Sequence, residues 1–258
     1  MGKQSTKPDI ILLHGLRGAP IGLSAIKEAL EASGYTVYAP AVPPFAHTKP
    51  LPEYTPEAYA NHFADWIRKH QLNQPVVIGH SMGSIVAAAL AAMHPDLVDS
   101  RVILLSPISE RAAGPFRLVS PLASLLPSRL VDYVTSRFLF AGHQKGLFDE
   151  VIKITNECGE HNRQVKRSDL AAVTKFSSSY GINDILASGN SGDKTTTCLQ
   201  RPTFYLIAGA KDRLVGQKST QKLAKSIDAK LTFIPNTGHL HNYEKPVETA
   251  QLIVDILK

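Results

Sequence analysis

One stretch of the 258-residue chain joins a nucleophile to the backbone geometry that exposes it. It runs Pro75-Val-Val-Ile-Gly79-His80-Ser81-Met82-Gly83-Ser84-Ile85-Val86 and continues through alanines to Leu90. A short apolar run leads into a tight turn and then into a long helix of small residues. Gly79-x-Ser81-x-Gly83 sets a serine at the apex of that turn, the spacing of a nucleophile elbow. A serine held there has a strained backbone and an Oγ projecting from the end of the sheet. A Cβ at either flanking position would strike the turn or its neighbours, which is what glycine avoids. The helix that follows aims its free N–H groups and positive dipole end at any oxygen bearing negative charge.

A serine hydroxyl is a poor nucleophile at neutral pH and needs an adjacent base, itself oriented by a third group. Two further stretches supply candidates. Gly209-Ala-Lys-Asp212-Arg-Leu-Val215 follows the apolar run Thr203 to Ala208, and Gly238-His239 follows Lys230 to Ile234. Each of the three residues lies just past the carboxyl end of an expected strand, in the order Ser81, Asp212, His239.

The elements that must hold them alternate in type. Strands are expected at Asp9 to Leu13, Tyr35 to Ala39, Val76 to Ile78, Val102 to Ser106, Thr203 to Ala208 and Lys230 to Ile234. The apolar run over 9–13 is continuous, as in a strand buried on both faces. Helices are expected over 21–33, closed by Gly34, and over 57–71, where Tyr59, Phe63, Trp66 and Ile67 form a buried stripe. Further helices follow the elbow and span 217–227 and 246–257. Between residues 107 and 198 the alternation breaks. Amphipathic segments at 116–126, 129–140, 148–158 and 168–179 lead to a polar linker over 187–197, and predict a helical insertion. Alternating strands and helices predict a parallel sheet with right-handed crossovers and helices on both faces. Ligands bind outside the carboxyl ends of such strands, where Ser81 stands.

Four motifs in this order carry a resemblance to the α/β-hydrolase superfamily: His14-Gly15, Gly79-His-Ser-Met-Gly83, Gly209-x-x-Asp212-x-x-Val215 and Gly238-His239-x-x-x-x-Glu244-x-Pro246. The resemblance implies an α/β-hydrolase core over 1–106 and 199–258, a mostly parallel sheet flanked by helices, and a helical cap inserted over 107–198. It implies Ser81 as nucleophile, His239 as general base and then acid, and Asp212 as the group fixing the imidazole tautomer. The backbone N–H groups of Leu16 and Met82 would form the oxyanion hole. Two departures stand out. The first strand of this chain matches the family's third, so the usual first hairpin is expected to be missing or shortened. Ser84 stands where a second glycine is common after the elbow.

Competing readings stay open at several positions. His241 is an alternative base and Glu110, soon after the fourth strand, an alternative acid; His80 reads as packing. Arg17, beside the expected hole, faces either solvent or an anionic substrate group. In the insertion, Phe116, Leu118, Leu122, Leu125, Tyr133, Phe138 and Phe140 line an acyl pocket or pack the cap on the core.

Composition bounds the rest. At 43% hydrophobic residues the chain can build one sizeable α/β domain. No run approaches the ~18 apolar residues of a membrane span. The polar N-terminus lacks a signal-peptide core, so a cytoplasmic protein without stable membrane insertion is expected. The net charge of +6 comes from scattered basic residues without aromatic interleaving, which argues against a nucleic-acid partner. Cys158 and Cys198 make no disulfide framework. The remaining histidines show no ligand spacing, so neither metal nor cofactor is expected. These observations converge on a serine hydrolase that cleaves a carboxylic ester through an acyl-enzyme. Thioester, amide, lactone or carbon–carbon bond hydrolysis would use the same residues, and a ligand-binding protein with an idle triad is the alternative from another class. The partner is a small acyl substrate; oligomeric state is not readable.

Overall fold

Residues 7–108, 145–188 and 202–258 are described by the computed structural model. Six strands carry the fold: β1 (Ile10–Leu13), β2 (Val37–Tyr38), β3 (Val76–His80), β4 (Arg101–Leu105), β5 (Thr203–Gly209) and β6 (Lys230–Ile234). They form one sheet in the order β2-β1-β3-β4-β5-β6, and every pairing is parallel. The strand order reverses between β1 and β3, so the chain winds outward in both directions from the centre of the sheet.

Side chains alternate across a strand, and this sheet uses both faces. Ile11, Leu13, Val77, Val102, Leu104 and Leu206 enter one buried cluster. Ile10, Leu12, Val76, Ile78, Ile103 and Ile207 enter the other. On the first face lie α2 (Pro56–Lys69) and α3 (Met82–Met93). The second face is covered by α1 (Ser24–Ala32) and α9 (Pro246–Leu257). Helix α2 begins where Thr55 accepts a hydrogen bond from the Ala58 N–H at 3.1 Å, with Pro56 in its first turn. Of its expected stripe Tyr59, Phe63 and Ile67 are buried and Trp66 is half-buried, and each buried side chain contributes about 1.5–3 kcal/mol.

The stretch between β4 and β5 carries α4 (Lys145–His161), α5 (Arg167–Ser179) and α6 (Ile182–Ser188). Two of these match the amphipathic segments expected at 148–158 and 168–179. The segments at 116–126 and 129–140, Glu110, the seven pocket candidates from Phe116 to Phe140, and Cys198 lie outside the described residues. Val173 and Phe176 of α5 and Ile182 and Ile185 of α6 join the same buried cluster as α2 and α3, with the Phe176 ring 4.8 Å from that of Tyr59. The last crossover is α7 (Gln217–Ser226), and the short α8 (His241–Glu244) stands between β6 and α9.

Candidate active site

Ser81 sits between β3 and α3 at φ 53°, ψ −120°, a positive φ that costs a residue with a Cβ on the order of 1–3 kcal/mol. Two close approaches impose the turn. A Cβ on Gly79 would stand 2.1 Å from the Gly83 carbonyl oxygen, and one on Gly83 would stand 2.3 Å from the Leu13 carbonyl oxygen at the end of β1. The Ser81 N–H donates to the Leu105 carbonyl at 2.9 Å, which ties the strained residue to β4. Met82 opens α3, so its N–H has no intrahelical acceptor.

The loops after β5 and β6 meet the serine from the far side. Their ends are laced together: Ala210 N–H donates to Ile234 at 2.9 Å and Lys211 N–H to Thr237 at 2.7 Å. Gly209 lets this happen, since a Cβ there would stand 2.0 Å from the Gly238 carbonyl oxygen. Asp212 Oδ1 accepts from the N–H groups of Leu214 at 2.8 Å and Val215 at 3.0 Å. Its Oδ2 accepts from His239 Nδ1 at 2.8 Å. With Nδ1 donating, Nε2 carries the lone pair, and it accepts the Ser81 hydroxyl at 3.0 Å. All three side chains are buried. Burial alone would raise the Asp212 carboxyl. The charge and hydrogen bond of His239, with the Val215 and Leu214 N–H groups, outweigh it and hold the carboxyl at about 2.

The glycine-rich turn after β1 is held from within. His14 Nδ1 donates to the Gly15 carbonyl at 2.9 Å, and His14 Nε2 accepts from the Val42 N–H at 2.9 Å. Burial pushes His14 down to about 4, consistent with this neutral role. The Gly15 carbonyl also accepts from the Gly18 N–H at 3.0 Å. A peptide unit is planar and trans, so fixing the Gly15 carbonyl fixes the Leu16 N–H, which points the opposite way.

The remaining candidates fall elsewhere. His241 lies fully buried with Nδ1 3.1 Å from the Thr249 hydroxyl, and not against Asp212 or Ser81. Arg17 is exposed on the turn. His80 does more than pack: its Nε2 donates to the His239 carbonyl at 3.1 Å, so the turn that carries Ser81 is also tied to the backbone of His239. Burial and then the charge of His239 push His80 down to about 3. Glu244 accepts from the Gly238 N–H at 2.8 Å, which gives a physical reason for the spacing of the last motif. Asn162, absent from the sequence reading, binds the glycine-rich turn; a lone asparagine in a polar stretch leaves no pattern to find it by.

The profile of the alpha/beta hydrolase family matches residues 10–252, and the chain belongs to that family. Among curated relatives it is 22% identical to a mouse sn-1-specific diacylglycerol lipase, over 98% of this chain and 82% of that one. It is 27% identical to a pimeloyl-[acyl-carrier protein] methyl ester esterase from Aromatoleum aromaticum, over 98% of this chain and 99% of the other. Its fold is shared with a thermophilic esterase from Thermogutta terrifontis, at TM-score 0.75, 19% identity and coverage of 98% and 90% of the two chains. It is shared equally with a bromoperoxidase from Bacillus anthracis, at TM-score 0.79, 15% identity and coverage of 97% and 92%. Among the described residues no helix is long and apolar enough to cross a membrane, and no group of three His, Cys, Asp or Glu side chains is disposed to hold a metal ion.

Proposed function

We propose that the protein hydrolyses carboxylic esters through an acyl-enzyme on Ser81. The observation that carries this reading is the unbroken chain from Ser81 Oγ through His239 to Asp212, with contacts of 3.0 and 2.8 Å. Ser81 Oγ attacks the carbonyl carbon while His239 Nε2 takes its proton. The carbonyl oxygen becomes an oxyanion held by the N–H groups of Leu16 and Met82; losing one such donor lowers the rate about 10²–10³-fold. Collapse breaks the ester C–O bond, and the imidazolium gives its proton to the departing alkoxide. Water then attacks the acyl-serine with His239 again as base, releasing the acid and restoring Ser81. Asp212 stays ionised and keeps the proton on Nδ1.

The two curated relatives named above are a diacylglycerol lipase and a methyl ester esterase, which favours esters over thioesters or amides. Small to medium acyl esters and monoacylglycerol-like lipids are the substrates proposed. The helices between β4 and β5 serve as the cap, excluding water and shaping an apolar cleft.

Fluorophosphonate labelling of wild type beside Ser81→Ala, with p-nitrophenyl esters of rising chain length, tests the assignment. Labelling and turnover are both expected in the wild type and lost in the variant, with a preferred chain length that sizes the acyl pocket. Labelling without ester turnover would keep the nucleophile and redirect the substrate to thioesters, amides or carbon–carbon bonds. A folded wild type that neither labels nor turns over would sink the hydrolase reading in favour of ligand binding.

A further inference from the structure

We propose that Asn162, in the turn that ends α4, is a positioning residue for the oxyanion hole. The inference rests on the ester-hydrolase reading above and adds to it the group that holds the Leu16 donor in place from outside the core. Asn162 Nδ2 donates to the Arg17 carbonyl at 3.0 Å and to the Gly18 carbonyl at 3.0 Å, while its Oδ1 accepts from the Ala46 N–H at 2.7 Å. Both amide hydrogens and the amide oxygen are thereby engaged, and only one orientation of the amide satisfies all three partners.

Those partners are backbone groups in conformations that do not hold themselves. Arg17 has φ 58°, Ala46 φ 50° and His47 φ 63°, the left-handed region that residues with a Cβ enter only when their surroundings require it. Asn162 grips the Arg17 unit on its carboxyl side and the Ala46 unit on its amide side, so one side chain ties the two strained loops together. His14 makes the other tie, through Gly15 and Val42. The peptide that presents the Leu16 N–H is held at its Gly15 carbonyl by His14 and by the Gly18 N–H, and Asn162 holds the turn that delivers this Gly18 N–H. Removing Asn162 lets the turn relax toward negative φ at Arg17, which draws the Gly18 N–H from the Gly15 carbonyl and tilts the Leu16 N–H off the oxyanion.

The support is itself anchored. The Asn162 N–H donates to the Cys158 carbonyl at 3.1 Å, and Val165 N–H donates to the Asn162 carbonyl at 3.1 Å. Cys158, one turn back, is buried and hydrogen-bonded to Tyr243, four residues past His239 in the chain. Helix α4 thus packs on α8, just past His239, through Cys158, while the turn that follows it holds the glycine-rich loop through Asn162, and the hole is complete only while α4 is seated.

The test compares Asn162→Ala and Asn162→Asp with wild type and with Arg163→Ala, a neighbouring exposed position. The aspartate keeps the size and the acceptor for Ala46 but sets carboxylate oxygen against two carbonyls. Three readouts are taken: kcat and KM for a p-nitrophenyl ester, the inhibition constant of a trifluoromethyl ketone whose hemiketal oxyanion occupies the hole, and the thermal midpoint. Expected for Asn162→Ala is a kcat lower by about 10- to 100-fold, a displaced donor doing less harm than a deleted one. KM should stay within about twofold, the signature of a lost transition-state contact. Ketone binding should weaken in proportion to kcat, Asn162→Asp should be at least as impaired, and Arg163→Ala should match wild type. Turnover within about twofold of wild type in both Asn162 variants overturns the proposal. So does a loss of kcat with ketone affinity unchanged, or one that Arg163→Ala shares. A folded wild type that neither labels with the fluorophosphonate nor turns over ester would fell the hydrolase reading and this proposal together; wild-type turnover abolished by Ser81→Ala, with both Asn162 variants fully active, would fell this proposal alone.

Discussion

The carboxylate of Asp212 is committed at both oxygens, and this decides what an amide in its place can do. Oδ1 takes two backbone N–H groups, from Leu214 and Val215, and Oδ2 faces His239 Nδ1. In Asp212→Asn the amide oxygen must stay with the paired N–H groups, so the NH₂ turns to the imidazole. His239 then has to accept at Nδ1 and carry its proton on Nε2, where it no longer takes the proton of Ser81. The expected result is a folded protein with kcat lower by about 10⁴-fold, read by ester turnover with near-ultraviolet circular dichroism unchanged. Retention of most activity would move the orienting acid elsewhere. Ser81, Asp212 and His239 were legible in the sequence because each follows an apolar run within a short motif. Glu244 was legible as a position in the last motif, while the contributions of His80 and Asn162 were not. Each of these two is a side chain hydrogen-bonded to a backbone group far along the chain, which leaves neither period nor spacing in a single sequence.

The loops that follow strands β5 and β6 carry Asp212 and His239, and they touch at Gly209. A Cβ at that position would stand 2.0 Å from one backbone oxygen and 2.3 Å from another, with no flexible side chain to absorb the overlap. Gly209→Ala should therefore push the 209–215 and 235–239 loops apart. A loss of roughly 1–3 kcal/mol in urea unfolding is expected from such overpacking, with kcat falling further than stability accounts for. An alanine variant with wild-type stability and turnover would show that the two loops have slack. Element prediction succeeded where burial is complete: Ile10–Leu13 is buried at every residue, and six of six expected strands are present. It failed at the ends of elements. The helix expected over 21–33 is divided into a 3-10 turn, Pro20–Leu23, and α1, and at Gly22 the backbone runs so close to the Tyr243 hydroxyl that a Cβ would collide with it. Strand β2 holds only Val37–Tyr38; it lies at the edge, paired on one side. Helix α6 went unread because seven residues give little periodicity to find.

Threading the chain through one doubly faced sheet collects several histidines beneath the site, and together they set how the whole protein responds to acid. His14 and His80 are buried and their neutral forms are favoured, with values pushed down to about 4 and about 3. His241 is buried with its ring 5.7 Å from that of His80. Burial, then the charges of His80 and His239, pushes it well below the ordinary value. In the unfolded chain all three return to about 6.5. Below that pH the unfolded state binds more protons than the folded one, so their contribution is complete above about 6.5 and is lost as pH falls toward the folded values. Each such group contributes a slope of about 1.4 kcal/mol per pH unit, or about 4 for the three. Against a domain stability of about 5–15 kcal/mol, that slope removes a large share of the stability before the carboxylates titrate, and the low value of Asp212 adds its own loss only further down. Urea unfolding between pH 7.5 and 5 should show a flat upper region and then a fall of about 4 kcal/mol per unit at constant m. A stability that stays level from pH 6.5 to 5 would mean that water or an unseen partner lets these rings take up protons inside the fold.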